Sequence, residues 1–184
     1  MKKEPRTLII IDMQQGMSSP SAGPRNNPNA EQNIARLLTA WRKVAAPLIH
    51  VRHISRTVGS PFWPGQAGVE FQKPLAPLRS EHVVEKNVPD AFINTGLERW
   101  LRVRDIRKLA IAGVSTNNSV EATARTAGNL GFDICVVSDA TFAFSMVDYS
   151  GRNWSADEVH AISLANLNGE YASVATTDDL LGAL

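Results

Sequence analysis

Short runs that are apolar at nearly every position, separated by amphipathic stretches, restrict this sequence to a small set of folds. Residues 7–12 (TLIIID), 47–54 (PLIHVRHI), 82–86 (HVVEK), 108–114 (KLAIAGV) and 133–140 (DICVVSDA) read as strands, with a shorter sixth at 172–176 (ASVAT). A strand with one wet face alternates polar and apolar residues. A run without that alternation needs cover on both faces, as in a parallel sheet. Between the runs, Ile34, Leu37, Leu38, Trp41, Val44 and Ala45 recur at helical spacing, and Leu97, Trp100 and Leu101 make a shorter stripe. Ser155 and Glu158 stand at capping-box spacing ahead of Val159, Ile162 and Leu167. The alternation predicts a doubly wound α/β domain.

No internal repeat or linker divides the chain, so residues 1–184 read as one domain, large enough to bury a core without disulfides or metals. A formal charge of +1, with no basic run interleaved with aromatics, gives no case for nucleic acid or an anionic membrane. The single cysteine, Cys135, excludes an internal disulfide and any multi-cysteine metal site. Its place within ICVV reads as core packing. The charged start (MKKEPR) and the short apolar run after it do not make a signal peptide or a membrane span, so a cytoplasmic protein is expected.

Two segments read as loops. Residues 15–29 are rich in Gly, Pro, Ser and Asn, and residues 55–80 carry Phe62-Trp63-Pro64-Gly65. Long loops in a small domain are usually functional. Phe62 and Trp63 are candidate pocket walls, as is Phe92, with hydrophobic packing the competing reading for each.

In open α/β sheets, ligands sit beyond the carboxyl ends of the strands. Asp12 ends the first run, Lys86 ends the third, and Ser119 lies just past the fourth, where a helix over 120–130 is expected. Each also has a plain reading: a cap on a turn for Asp12, a solvated strand end for Lys86, an N-cap for Ser119. Gln14 is a candidate substrate contact or a surface-turn residue. Asn117 and Asn118 read as caps, and Glu121 with Arg125 as an i,i+4 pair.

The blocks LIIIDMQ (8–14), HVRH (50–53), FWPGQAGVEF (62–71), VVEKNVPDAFINTGLERWL (83–101), AGVSTNNSVEATARTAGNLGF (112–132) and VVSDATF (136–142) occur in an order and spacing that resembles the isochorismatase-like hydrolase superfamily, the cysteine hydrolases. The resemblance implies a three-layer α/β/α sandwich on a six-stranded parallel sheet, assembled into homo-oligomers, acting on a small molecule without a cofactor. It implies Asp12 as general base, Lys86 as the active-site lysine and Ser119 at the position of the nucleophilic cysteine. It further implies a cis peptide bond before Ser115 and an oxyanion hole made of the Ser115 and Ser119 backbone N–H groups.

Two departures stand out. Nicotinamidase members carry an Asp-x-His metal motif where this chain reads Val51-Arg52-His53. Valine cannot ligate, and a strand turns His50 and His53 to opposite faces, so no metal is expected. His53 remains open as a site-facing residue or a buried, hydrogen-bonded one. The other departure is Ser119, whose hydroxyl is far less acidic than a thiol. Three readings follow: a serine acyl-enzyme hydrolase of amides or imides; vinyl-ether hydrolysis of the isochorismate type, with Asp12 as general acid; and a weak or inactive ligand-binding homologue or a Cys-to-Ser variant.

Overall fold

The computed structural model describes residues 5–19 and 22–184; most of the charged start and two residues of the first loop lie outside the described residues. Its main sheet comprises β1 (Thr7–Ile11), β2 (Leu48–His53), β3 (His82–Lys86), β4 (Lys108–Val114), β5 (Asp133–Phe142) and β8 (Ser173–Ala175). All neighbours are parallel, in the order β3-β2-β1-β4-β5-β8. A short antiparallel hairpin, β6 (Met146–Val147) with β7 (Asn153–Trp154), lies apart from it. The helices are α1 (Ala30–Lys43), α2 (Leu97–Arg102), α3 (Glu121–Asn129), α4 (Ala156–Leu167) and α5 (Thr177–Gly182).

β1 shows why the strand runs are apolar throughout. Leu8 and Ile10 pack with Ile34, Leu37, Trp41 and Leu180 from α1 and α5 on one face. Ile9 and Ile11 pack with Leu97, Leu101, Ala124 and Leu167 from α2, α3 and α4 on the other. Successive side chains of a strand point to opposite faces, so cover on both sides requires hydrophobicity at every position. The expected three-layer sandwich is the observed one.

The chain fills the sheet outward from β1 to β3, then returns to β4 and fills the opposite side. This reversal between β1 and β4 is the place where doubly wound sheets open a crevice. Gly113 lets the two strand ends meet there. Its φ is +120°, and a Cβ would lie 2.1 Å from the Ile11 carbonyl oxygen, so only glycine fits.

Several boundaries differ from the sequence reading. The α1 stripe stops at Trp41. Val44 is half exposed and Ala45 takes a left-handed φ of +52°, as the chain turns into β2 with Ala46 buried instead. Ile162 faces outward on α4. Trp100 stacks on His82 with centroids 4.4 Å apart, at the sheet edge rather than in the core centre. β5 runs two residues beyond the expected strand because the β4–β5 register shifts after Ile111, which lets it bow outward and rejoin at Thr141.

One polar cluster ties the edge of the sheet to α1. Arg42 donates to Glu81 through Nε at 2.7 Å and Nη2 at 2.9 Å, His50 Nε2 lies 3.0 Å from Glu81, and the Leu78 N–H donates to Glu81 at 2.8 Å. Burial pushes the Glu81 carboxyl up. The Arg42 and Leu78 hydrogen bonds and the Arg42 and His50 charges outweigh that and hold it at about 2. A depressed folded-state value contributes stability that is complete above the ordinary 4.5 and is lost as pH falls toward 2. Urea unfolding across that window is therefore expected to show a fall in stability that Glu81→Gln flattens. His50 is held below its usual value by burial, against the pull of Glu81, so its own loss begins nearer neutrality and persists in the variant.

Candidate active site

Three side chains from separate parts of the chain meet at the β1/β4 crevice. Asp12 follows β1 with a left-handed φ of +53°, which its short polar side chain tolerates, while its N–H donates to the Val51 carbonyl at 2.9 Å. Lys86 ends β3. Its Nζ donates to Asp12 Oδ2 at 2.7 Å and to Ser119 Oγ at 3.2 Å. Asp12, Lys86 and Ser119 are 1%, 2% and 6% exposed, so neither a surface turn nor a solvated strand end describes them.

Ser119 is not an N-cap. It sits within a π-helical turn, Thr116–Val120, that leads into α3. The turn is wide because the Val120 N–H reaches back to the Ser115 carbonyl at 3.1 Å, which also accepts from Asn118 at 3.0 Å. The bond entering it, Val114–Ser115, is cis. Among the described residues, the Ser115 N–H has no backbone or side-chain acceptor. Asn117 and Asn118 are exposed and provide no cap.

Burial raises the Asp12 carboxyl above its ordinary value, and the charge and hydrogen bond of Lys86, then the Ser119 hydroxyl, oppose that rise without cancelling it. Asp12 Oδ1 is buried with no hydrogen-bond partner among the described residues. The carboxyl thus has one oxygen held by the ammonium and another left as an unfilled acceptor. Lys86 donates to Ser119 Oγ, so that bond does not use the serine's own proton.

The remaining candidates divide. His53 lies on the same side of the sheet as its register partner Lys86, with its ring centroid 6.0 Å from that of Phe62. Burial, then the Lys86 charge, pushes it down to about 4, so it is a neutral imidazole near neutral pH. His50 points the other way, into the Glu81 cluster. Gln14 is fully buried and neither a surface-turn residue nor free to meet a substrate. Its Nε2 donates to the His53 and Val69 carbonyls at 3.0 and 2.9 Å, and its Oε1 accepts from the His53 N–H at 2.8 Å, so it braces the 55–80 loop. Phe92 is in the core, 5.9 Å from Phe132, and is not a pocket wall. Cys135 is buried in the opposite core.

Trp63 lines a cavity of about 470 Å³ at the ends of β2 and β3, with Arg56, Pro64, Glu85, Lys86 and Asn87. Arg56 lies in an unpatterned loop and Asn87 just past the end of β3, and neither position carries a local signal that marks it as lining a cavity. Glu121 pairs with Arg125 at 2.7 Å as expected, yet it also accepts from Ser163 on α4, which the local spacing could not show. The contacts of Thr116 with α4 were equally hidden.

Residues 6–179 match the family model described as the isochorismatase domain. A crystal structure of a protein assigned to the isochorismatase family as a hydrolase, from Chromobacterium violaceum, superposes with a TM-score of 0.96 at 51% identity, covering 100% of this chain and 95% of that one. The uncharacterized isochorismatase family protein YrdC of Bacillus subtilis is 38% identical over 97% of this chain and 96% of its own length. Nicotinamidase 3 of Arabidopsis thaliana is 26% identical over 100% of this chain and 92% of its own.

Proposed function

The chain belongs to the isochorismatase family of hydrolases, and from that premise we propose that it cleaves a small amide- or imide-type carbonyl compound through Ser119, with Asp12 and Lys86 as its partners. The observation that carries the proposal is Lys86 Nζ in hydrogen-bond contact with both Asp12 and Ser119 inside a buried crevice. Amide chemistry is favoured by the nicotinamidase relative and by a hydroxyl and a carboxyl that share the Lys86 ammonium.

In the proposed reaction, Ser119 Oγ attacks the substrate carbonyl carbon and its proton passes to Asp12 Oδ1. The Ser115 and Ser119 N–H groups receive the oxyanion, a stabilisation that reaches about 3–4 kcal/mol for a single well-placed donor. The C–N bond then breaks, and Asp12 returns the proton to the leaving nitrogen. A water attacks the acyl carbonyl, gives its proton to Asp12, and releases the acid as Ser119 regains its hydrogen. Lys86 balances the charge on Asp12. His53 and Trp63 border the approach to Lys86, where a small substrate would lie. Self-association belongs to the same proposal, supported by the exposed Met146, Val147 and Tyr149 of the β6–β7 hairpin.

One observation favours a second reading. A carboxyl raised by burial can hold its proton, as an acid that protonates a vinyl ether must. Ammonia release from nicotinamide and a set of small aliphatic amides, assayed beside consumption of isochorismate, separates the two. Turnover of at least one amide with isochorismate untouched is the expected result. Consumption of isochorismate alone would contradict the amide proposal.

A further inference from the structure

The turn that presents Ser115 and Ser119 is held from behind by α4. His160 and Ser163, three residues apart and hence on one helix face, both close on Thr116. His160 Nδ1 lies 2.8 Å from Thr116 Oγ1. Ser163 Oγ lies 2.9 Å from the Thr116 carbonyl oxygen and 2.5 Å from Glu121 Oε2, so its single proton is shared between two acceptors that bracket the turn. Thr116 is fully buried, and His160 and Ser163 nearly so. Thr116 is therefore gripped at its side chain and its main chain, within the turn that runs from Ser115 to Ser119.

The far side of the His160 ring is anchored as well. His160 Nε2 faces Asn27 Nδ2 at 3.5 Å, and that amide donates to the Ser138 and Thr141 carbonyls at 2.8 and 2.6 Å. The Thr116 hydroxyl can donate or accept, so it bonds Nδ1 in either ring tautomer. The bowed part of β5 supplies both carbonyls, so the chain of contacts runs from the sheet through Asn27 and His160 to the turn.

We propose that His160 and Ser163 are positioning residues that fix Thr116, and through it the Ser115 amide and the Ser119 hydroxyl, against Lys86. The proposal rests on the role assigned to Ser119, yet it can be read without any hydrolysis. In a Ser119→Cys protein, the new thiol reports its own placement. Its alkylation by iodoacetamide gives a pH–rate profile, and tryptic mapping of residues 109–125 separates it from buried Cys135. A thiol held beside the Lys86 ammonium has a pKa below the ordinary value of about 8.5.

In that background, Thr116→Val, which keeps the shape and removes the hydroxyl, and His160→Leu are each expected to move the profile up toward about 8.5 and slow alkylation near neutral pH roughly tenfold or more. Thr116→Ser, which keeps the hydroxyl, and His160→Asn, which puts an amide near the site of Nδ1, are expected to stay close to the parent profile. The double variant Thr116→Val/His160→Leu should be no slower than the worse single, because both remove one bond. A folded Thr116→Val protein with an unchanged profile would overturn the proposal, as would an equal shift in Thr116→Ser. Should His160→Leu not fold, the threonine pair alone decides. A chain that hydrolysed no amide could still show the clamp, and an amidase with a flat response would lose the clamp and keep its function.

Discussion

Ser119→Ala is expected to lower turnover of the best amide substrate by at least about 10³-fold, while Ser119→Cys raises it above the parent. Removing the serine of a serine protease costs about 10⁶ in kcat, but Ser119 stands where the family resemblance implies a cysteine, so the parent rate is expected to start lower and less can be lost. The cysteine gain follows from the same mismatch. A thiol near pKa 8.5 becomes a thiolate beside an ammonium, whereas a hydroxyl must surrender its proton to Asp12 during attack. Steady-state ammonia release from the three proteins checks both directions. Equal rates in all three would move the reaction onto Asp12 as an acid, with Ser119 a bystander.

Lys86→Met is expected to destabilise the fold by about 3–5 kcal/mol near neutral pH, the cost of stranding one member of a buried ion pair. Methionine fills much of the lysine's volume, so little of the loss comes from packing. Asp12 would remain buried with both oxygens lacking a charged partner, in a place where burial already raises its pKa. A carboxyl raised above its unfolded value is tolerated while protonated and penalised as pH climbs through the folded value. The deficit should therefore be smaller at about pH 4 than at about pH 7. Asp12→Asn/Lys86→Met should recover part of it, since no charge is left without its partner. Urea unfolding of the parent, the single and the double variant at both pH values measures all of this. A loss below about 1 kcal/mol, unchanged with pH, would mean that the pair is solvated.

Local pattern carried the central strands because they are covered on both faces, a demand that leaves its mark on every position of β1 and on Leu109–Val114 of β4. It carried the capping box of Ser155, where the chemistry is confined to four residues. Asp12, Lys86 and Ser119 were legible as polar residues at strand ends, although the contact of Lys86 with both others depends on β3 and β4 flanking β1 and β2, which no local signal encodes. The π-turn was not legible, because Thr116–Val120 has no propensity that distinguishes it from an ordinary helix start. Gln14 was misread for a related reason. A glutamine after a strand resembles a turn residue until the 55–80 loop folds over it, taking its Nε2 at the Val69 carbonyl while the His53 N–H at the end of β2 takes its Oε1. Phe92 reads equally well as wall or core, and only the position of Phe132 decides.

The most direct test of Ser119 as a covalent nucleophile is an acid quench during turnover of the best amide, followed by mass analysis of the tryptic peptide spanning residues 109–125. The expected result is an added mass equal to the substrate's acyl group, placed on Ser119 by fragmentation and absent from Ser119→Ala. An unmodified peptide throughout turnover, together with an active Ser119→Ala protein, would contradict it.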